Sequence, residues 1–126
     1  MITSIVIDDD PDTVAVFCEY LEMNQIMVMG KGFNGKEAVE LYQKLKPDFV
    51  FADVMMPEYD GFYALEKIRQ IDPGAKIIMV TADLRAETEY RLKALKATDI
   101  VFKPFDISKI MEIIYRLEPM QIQISS

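Results

Sequence analysis

Apolar positions along the chain switch repeatedly between two spacings. Short runs rich in β-branched and other apolar residues, at 2–7 (Ile-Thr-Ser-Ile-Val-Ile), 26–29, 49–52, 76–80 and 99–102, read as strands. Between them, apolar residues recur at helical spacing. Val14, Phe17, Cys18 and Leu21 mark a first helix, and Ala38, Leu41, Tyr42 and Leu45 a second. Leu65 and Ile68 face inward on a third, and Leu92 and Leu95 on a charged fourth, from about 85 to 96. Ile107, Ile110, Met111, Ile114 and Leu117 give the fifth the clearest stripe. Punctuation agrees with this reading. Asp10 is placed to cap the first helix, with Pro11 at its first position and Asp12 in its first turn. Asn34 with Glu37 resembles a capping box. Pro47 and Asp72-Pro73-Gly74 are stops, and Gly30, Gly32 and Gly35 are expected to loosen the chain after the second strand.

Strands alternating with helices predict an α/β fold in which a parallel sheet is covered on both faces. Right-handed crossovers then bring every strand's C-terminal end to one edge, where such sheets bind ligands. The polar residues at those ends are Asp8 and Asp9 after the first strand, Asp53 closing the third, Thr81 closing the fourth and Lys103 after the fifth. One domain is expected over 1–118. Residues 119–126 alternate apolar and polar, and read as a C-terminal tail, a short strand or the start of a linker.

Composition narrows the chemistry. The chain of 126 residues carries a net charge of −7, which disfavours direct binding of nucleic acid or an anionic membrane but not of a cation. The longest apolar runs fall well short of a membrane span, and no signal-peptide pattern opens the chain. With no histidine and one cysteine, neither a Ser-His-Asp triad nor a structural zinc site can be built. Cys18 lies on the apolar stripe of its helix and reads as a core residue in a reducing, cytoplasmic setting. Any metal must be held by oxygen, which favours magnesium.

Carboxylates about 4 Å apart repel by on the order of 4 kcal/mol at a surface-like dielectric. Gathered at one edge, Asp8, Asp9 and Asp53 therefore call for raised pKa values or a divalent cation. Asp53 could then attack phosphorus as a nucleophile, with Lys103 facing the phosphoryl oxygens and Thr81 offering a hydroxyl. Taken singly, each has a blander reading: a solvated acid, a strand-end hydroxyl, a surface lysine. Four independent strand ends agreeing is harder to explain that way.

Ile5-Val-Ile-Asp-Asp-Asp-Pro11, Asp53-Val-Met-Met-Pro-Glu-Tyr-Asp-Gly61, Val80-Thr-Ala82 and Lys103-Pro-Phe105 together resemble the receiver domain of two-component response regulators, over about residues 2–118. The resemblance implies a flavodoxin-like (βα)5 three-layer sandwich with strand order 2-1-3-4-5. It implies a phosphoprotein switch rather than an enzyme acting on a separate substrate. Asp53 would take a phosphoryl group from the phosphohistidine of a sensor histidine kinase or phosphotransfer protein. Asp8, Asp9, Asp53 and the main-chain carbonyl of Met55 would hold Mg2+, Lys103 would pair with the phosphoryl group, and Thr81 would swing in to bond it. The Lys103–Pro104 peptide would be cis. Output is expected through helix four, strand five and helix five, toward a partner the sequence does not name; a homodimer is left open.

Three positions set this chain apart. Ile100 stands where the family usually has an aromatic residue, so the output surface is expected to move differently or less. Lys96 replaces a common glycine before strand five. Met55, two residues after Asp53, cannot orient water, so a phosphorylated state longer-lived than with a polar residue there is expected; Asp83 occupies the matching tuning position after Thr81. A receiver-fold interaction module with weak or no phosphorylation switching is the alternative. Asp10-Pro-Asp-Thr-Val14 also matches the Asp-x-Asp-x-Val signature of haloacid-dehalogenase-like phosphatases. Pro11 makes that stretch a helix start, however, and the late acidic motif is missing.

Overall fold

The computed structural model describes residues 1–119. Its elements follow the predicted alternation: β1 (Thr3–Ile7), α1 (Pro11–Met23), β2 (Met27–Gly32), α2 (Gly35–Leu45), β3 (Phe49–Asp53), α3 (Gly61–Ile71), β4 (Lys76–Thr81), α4 (Ala86–Ala94), β5 (Asp99–Phe102) and α5 (Ile107–Leu117). The five strands form one sheet, all neighbours parallel, in the order β2-β1-β3-β4-β5. The tail reading falls largely on residues 120–126, outside those described. Among the described residues no helix is long and apolar enough to cross a membrane.

Strand side chains alternate between two cores, as the pleat requires. Val6, Phe49, Phe51, Ile78 and Val101 pack with Val14, Phe17 and Leu21 of α1 and Ile110 and Ile114 of α5. Ile5, Ile7, Val50, Ile77 and Met79 pack on the other face with residues of α2, α3 and α4, among them Ala38, Leu65, Ile68 and Leu92. The sheet is therefore the middle of three layers. Truncating a fully buried Ile5 or Ile77 to alanine would cost about 2–5 kcal/mol.

The helix starts are built as the sequence implies. Asp10 accepts the Asp12 N–H at 3.2 Å and the Thr13 hydroxyl at 2.7 Å. Asn34 accepts the Glu37 N–H at 2.9 Å, while the Glu37 carboxylate reaches the N–H of Phe33, at 2.8 Å, one residue ahead of the cap. Two expectations need correction. β2 runs on to Gly32, so Gly30 and Gly32 belong to a strand and do not loosen the chain. A Cβ at Gly30 would stand 3.0 Å from Leu45 Cδ1, and one at Gly32 2.8 Å from Ile7 Cδ1; these glycines give room for side chains of α2 and β1. α4 is shorter than its charge pattern suggested, because Lys96 turns left-handed (φ 66°) and ends it.

Candidate functional site

Five residues singled out from the sequence stand at one edge of the sheet, because parallel strands all end there. Asp8 and Asp9 directly follow β1, Asp53 is the last residue of β3, Thr81 the last of β4, and Lys103 follows β5. Asp8 and Asp53 are only 6% and 9% exposed, while Asp9 opens to solvent. Each of the three aspartates offers an oxygen, and these oxygens lie within 4.8 Å of one another. Lys103 Nζ donates to Asp8 Oδ2 at 3.0 Å and stands 3.8 Å from Asp53 Oδ1. Asp8 Oδ1 is fixed by the Asp10 N–H at 3.0 Å, and Asp53 Oδ1 by the Val54 N–H at 2.9 Å.

Burial outweighs these partners at Asp53. Its pKa is pushed up to about 6, chiefly by desolvation; Lys103 and the Val54 N–H oppose the rise, and the charges of Asp8 and Asp9 add to it. One lysine does not balance three converging carboxylates. All three donors are hard oxygens at a spacing one small cation can bridge, so the residues fit a magnesium ion better than a softer metal.

The loop after Asp53 is held by close backbone approaches. The Gly61 N–H donates to Val54 O at 2.8 Å, and a Cβ on Gly61 would fall 2.2 Å from the carbonyl oxygen of Asp53. The Gly35 N–H likewise donates to Tyr59 O at 2.6 Å, tying the same loop to the start of α2. Met55 keeps its side chain 58% exposed, so no polar group from that position faces the carboxylates. The Lys103–Pro104 peptide is cis, as expected.

Thr81 closes β4 at the same edge, as its place in the sequence implies. Fully buried, its Oγ1 accepts the N–H of Asp83 at 2.9 Å, so the hydroxyl is engaged with its own loop. Asp83 in turn accepts a two-pronged contact from the Arg85 guanidinium, the Arg85 N–H and the Thr88 hydroxyl. Thr88 and Arg85 escaped notice in the sequence because a Thr in a charged helix is unremarked until its partner is known. Ile100 is half-buried and packs against the α2–α4 side of the core.

A second feature invisible in sequence is a cleft of about 490 Å3 running from Asp8, Asp53 and Lys103 along the junction of α1 with the β5–α5 loop. Thr13, Val16, Phe17, Tyr20, Phe105 and Ile107 line it. Val16 and Tyr20 sit off the helical stripe of Val14, Phe17, Cys18 and Leu21, so the pattern of core positions does not single them out.

Comparison with known proteins agrees with this geometry. The family model described as "Response regulator receiver domain" matches residues 5–115. Chemotaxis protein CheY of Thermotoga maritima is 44% identical over 87 residues, 68% of this chain and 71% of that protein. Protein CcdB of Bacillus subtilis is 35% identical over 113 residues, covering 90% of this chain and 94% of its own. Among solved structures, the response regulator domain of Thermotoga maritima CheB superposes with a TM-score of 0.77 at 27% identity, covering 96% of this chain and 94% of that one. The CheX-CheY-BeF3-Mg+2 complex from Borrelia burgdorferi reaches 0.86 at 24% identity, over 92% of this chain and 88% of the other, and shares the fold. With the strand order, the acidic edge and these likenesses in agreement, the chain belongs to the response regulator receiver domains of two-component signalling.

Proposed function

We propose that this receiver switches by accepting a phosphoryl group on Asp53 from the phosphohistidine of a sensor kinase or phosphotransfer protein. The observation that carries the reading is a buried Asp53 at a sheet edge with two further carboxylates and a lysine directed at it. A carboxylate oxygen of Asp53 attacks phosphorus in line, the P–N bond of the donor breaks, and the imidazole keeps that electron pair and takes a proton from solvent. Lys103, already between Asp8 and Asp53, is placed to meet the charge on the transferred group. Asp8, Asp9, Asp53 and the Met55 carbonyl are the proposed holders of magnesium. The bound ion would supply positive charge that lets an anionic donor approach an anionic acceptor.

The donor must reach Asp53, and the cleft beside it gives it a surface: Val16 and Tyr20 on α1 are about half exposed next to Phe105. An apolar ridge of the donor protein is the proposed occupant. Output through α4, β5 and α5 remains the proposed route, as does a cytoplasmic setting, which suits the free, buried thiol of Cys18. Phosphorylation and hydrolysis at Asp53 then set the state of a switch and turn over no separate substrate.

The test is titration with magnesium and beryllofluoride, followed by NMR, in the native protein and in Asp53→Asn. Saturable, magnesium-dependent binding lost in Asp53→Asn is the expected result. A folded protein that shows no such binding would be a module acting by contacts alone.

A further inference from the structure

Asp83 sits at the centre of a small hydrogen-bond chain that joins the candidate site to α4. Its N–H donates to the Thr81 hydroxyl oxygen at 2.9 Å. Its carboxylate, only 11% exposed, accepts from Arg85 Nη2 at 2.7 Å and from the Thr88 hydroxyl at 2.6 Å. Thr88 is itself buried, in the first turn of α4, and Arg85 is that helix's N-cap residue, with no side-chain hydrogen bond of the usual capping kind. Further along, Arg91 stacks its guanidinium 3.9 Å from the centre of the Phe62 ring, and Leu92 is fully buried. The middle of α4 is thus anchored by packing, and its start by Asp83.

We propose that the Thr81–Asp83–Thr88 chain is the latch that couples the phosphorylation site to α4 in this protein, in place of a side chain at position 100. The side chain of Ile100 has no polar atom and packs, half-buried, against the core, so it can neither follow nor release the Thr81 hydroxyl by hydrogen bonding. The latch belongs to the resting state. When Thr81 turns its Oγ1 toward a phosphoryl oxygen on Asp53, the Asp83 N–H loses its acceptor. The turn over residues 81–83 must then rearrange to satisfy that N–H, and the Asp83 carboxylate is drawn off Thr88. The start of α4 is released while Arg91 and Leu92 hold its middle. Asp83 meets neither phosphoryl group nor metal in this scheme; it is a positioning residue.

The inference rests on the proposed phosphoacceptor role of Asp53, and the experiment separates the two. Thr88→Val keeps the buried volume and removes the hydroxyl, while Thr88→Ser keeps the hydroxyl. Beryllofluoride–magnesium affinity is measured in both, in the native protein and in Thr81→Ala, together with amide hydrogen exchange over residues 82–90. With the resting state weakened, Thr88→Val is expected to bind beryllofluoride about tenfold more tightly, the worth of one hydrogen bond to a charged group. Its exchange over 82–90 should be faster before the ligand is added. Thr88→Ser should bind as the native protein does. In the Thr81→Ala background, Thr88→Val should change the affinity little, because the link to the site is already cut. Native-like affinity in Thr88→Val, with native protein that does bind, overturns the latch alone. Native protein without saturable binding overturns the phosphoacceptor reading and the latch with it. A gain in Thr88→Val that persists undiminished in Thr81→Ala also overturns the latch, since a merely structural role would act through α4 without Thr81.

Discussion

At the scale of single residues, the site is dominated by the cost of keeping Asp53 ionised out of water. Its folded-state pKa near 6 lies above its ordinary 3.8, so the folded protein favours the protonated form. Below about pH 4 both states are protonated and Asp53 carries no penalty. As pH rises through 6 the folded state must hold a buried anion, and about 3 kcal/mol of stability is lost at most. Asp53→Asn, measured without divalent metal, should therefore be more stable than the native protein at pH 7.5 and no more stable at pH 4. Denaturant titrations at the two pH values check this; equal gains at both would show that burial of charge is not the cause. Met55 makes the second residue-scale prediction. Its side chain lies outward and offers no hydrogen bond to a hydrolytic water. Met55→Asn should shorten the lifetime of the phosphorylated protein by about tenfold, one hydrogen bond's worth. The check is the decay of the phosphoprotein after the donor is removed.

At the scale of elements, backbone approaches and one arginine decide where the loops lie. Gly61 touches the carbonyl of Asp53 so closely that Gly61→Ala must push the start of α3 off the end of β3. It should cost several-fold more in beryllofluoride affinity than an alanine at Gly74, where a Cβ would meet its nearest neighbour at 3.5 Å. The turn between α4 and β5 is another case. Lys96 adopts φ 66°, a conformation that suits glycine, so Lys96→Gly should be tolerated and should raise stability by about 0.5–1 kcal/mol. What holds the lysine there is Arg69, whose guanidinium donates to Pro73 O, Ala75 O and Lys96 O at 2.9, 2.6 and 2.7 Å. Arg69→Lys cannot reproduce that planar fork and should lower stability by about 2 kcal/mol, read from thermal or denaturant unfolding.

At the scale of the whole molecule, folding carries carboxylates from the ends of β1 and β3 into one pocket, and a cation that binds only there is linked to folding. Magnesium at a hundredfold excess over its Kd should stabilise the protein by about 2.7 kcal/mol, and Asp53→Asn should lose most of this gain. Thermal unfolding with and without chelator measures it. Much of this was legible beforehand. Strand and helix periods, caps at Asp10 and Asn34, and polar residues at strand ends are local, and each is written within a few residues. Their alternation then dictates a parallel sheet, because short connections through helices allow little else, and a parallel sheet gathers its C-terminal ends. The resemblance added the strand order, which the structure has, and the roles expected of the gathered residues. What the sequence could not show depends on which groups meet across distance. The side on which α2 presses against β2 gave Gly30 and Gly32 their purpose. The docking of α1 beside the β5–α5 loop made a cleft of Val16 and Tyr20, and the fold of the turn after β4 joined Thr81 to Thr88 through Asp83. Such contacts rest on side-chain geometry between elements, and only packing the whole chain settles that.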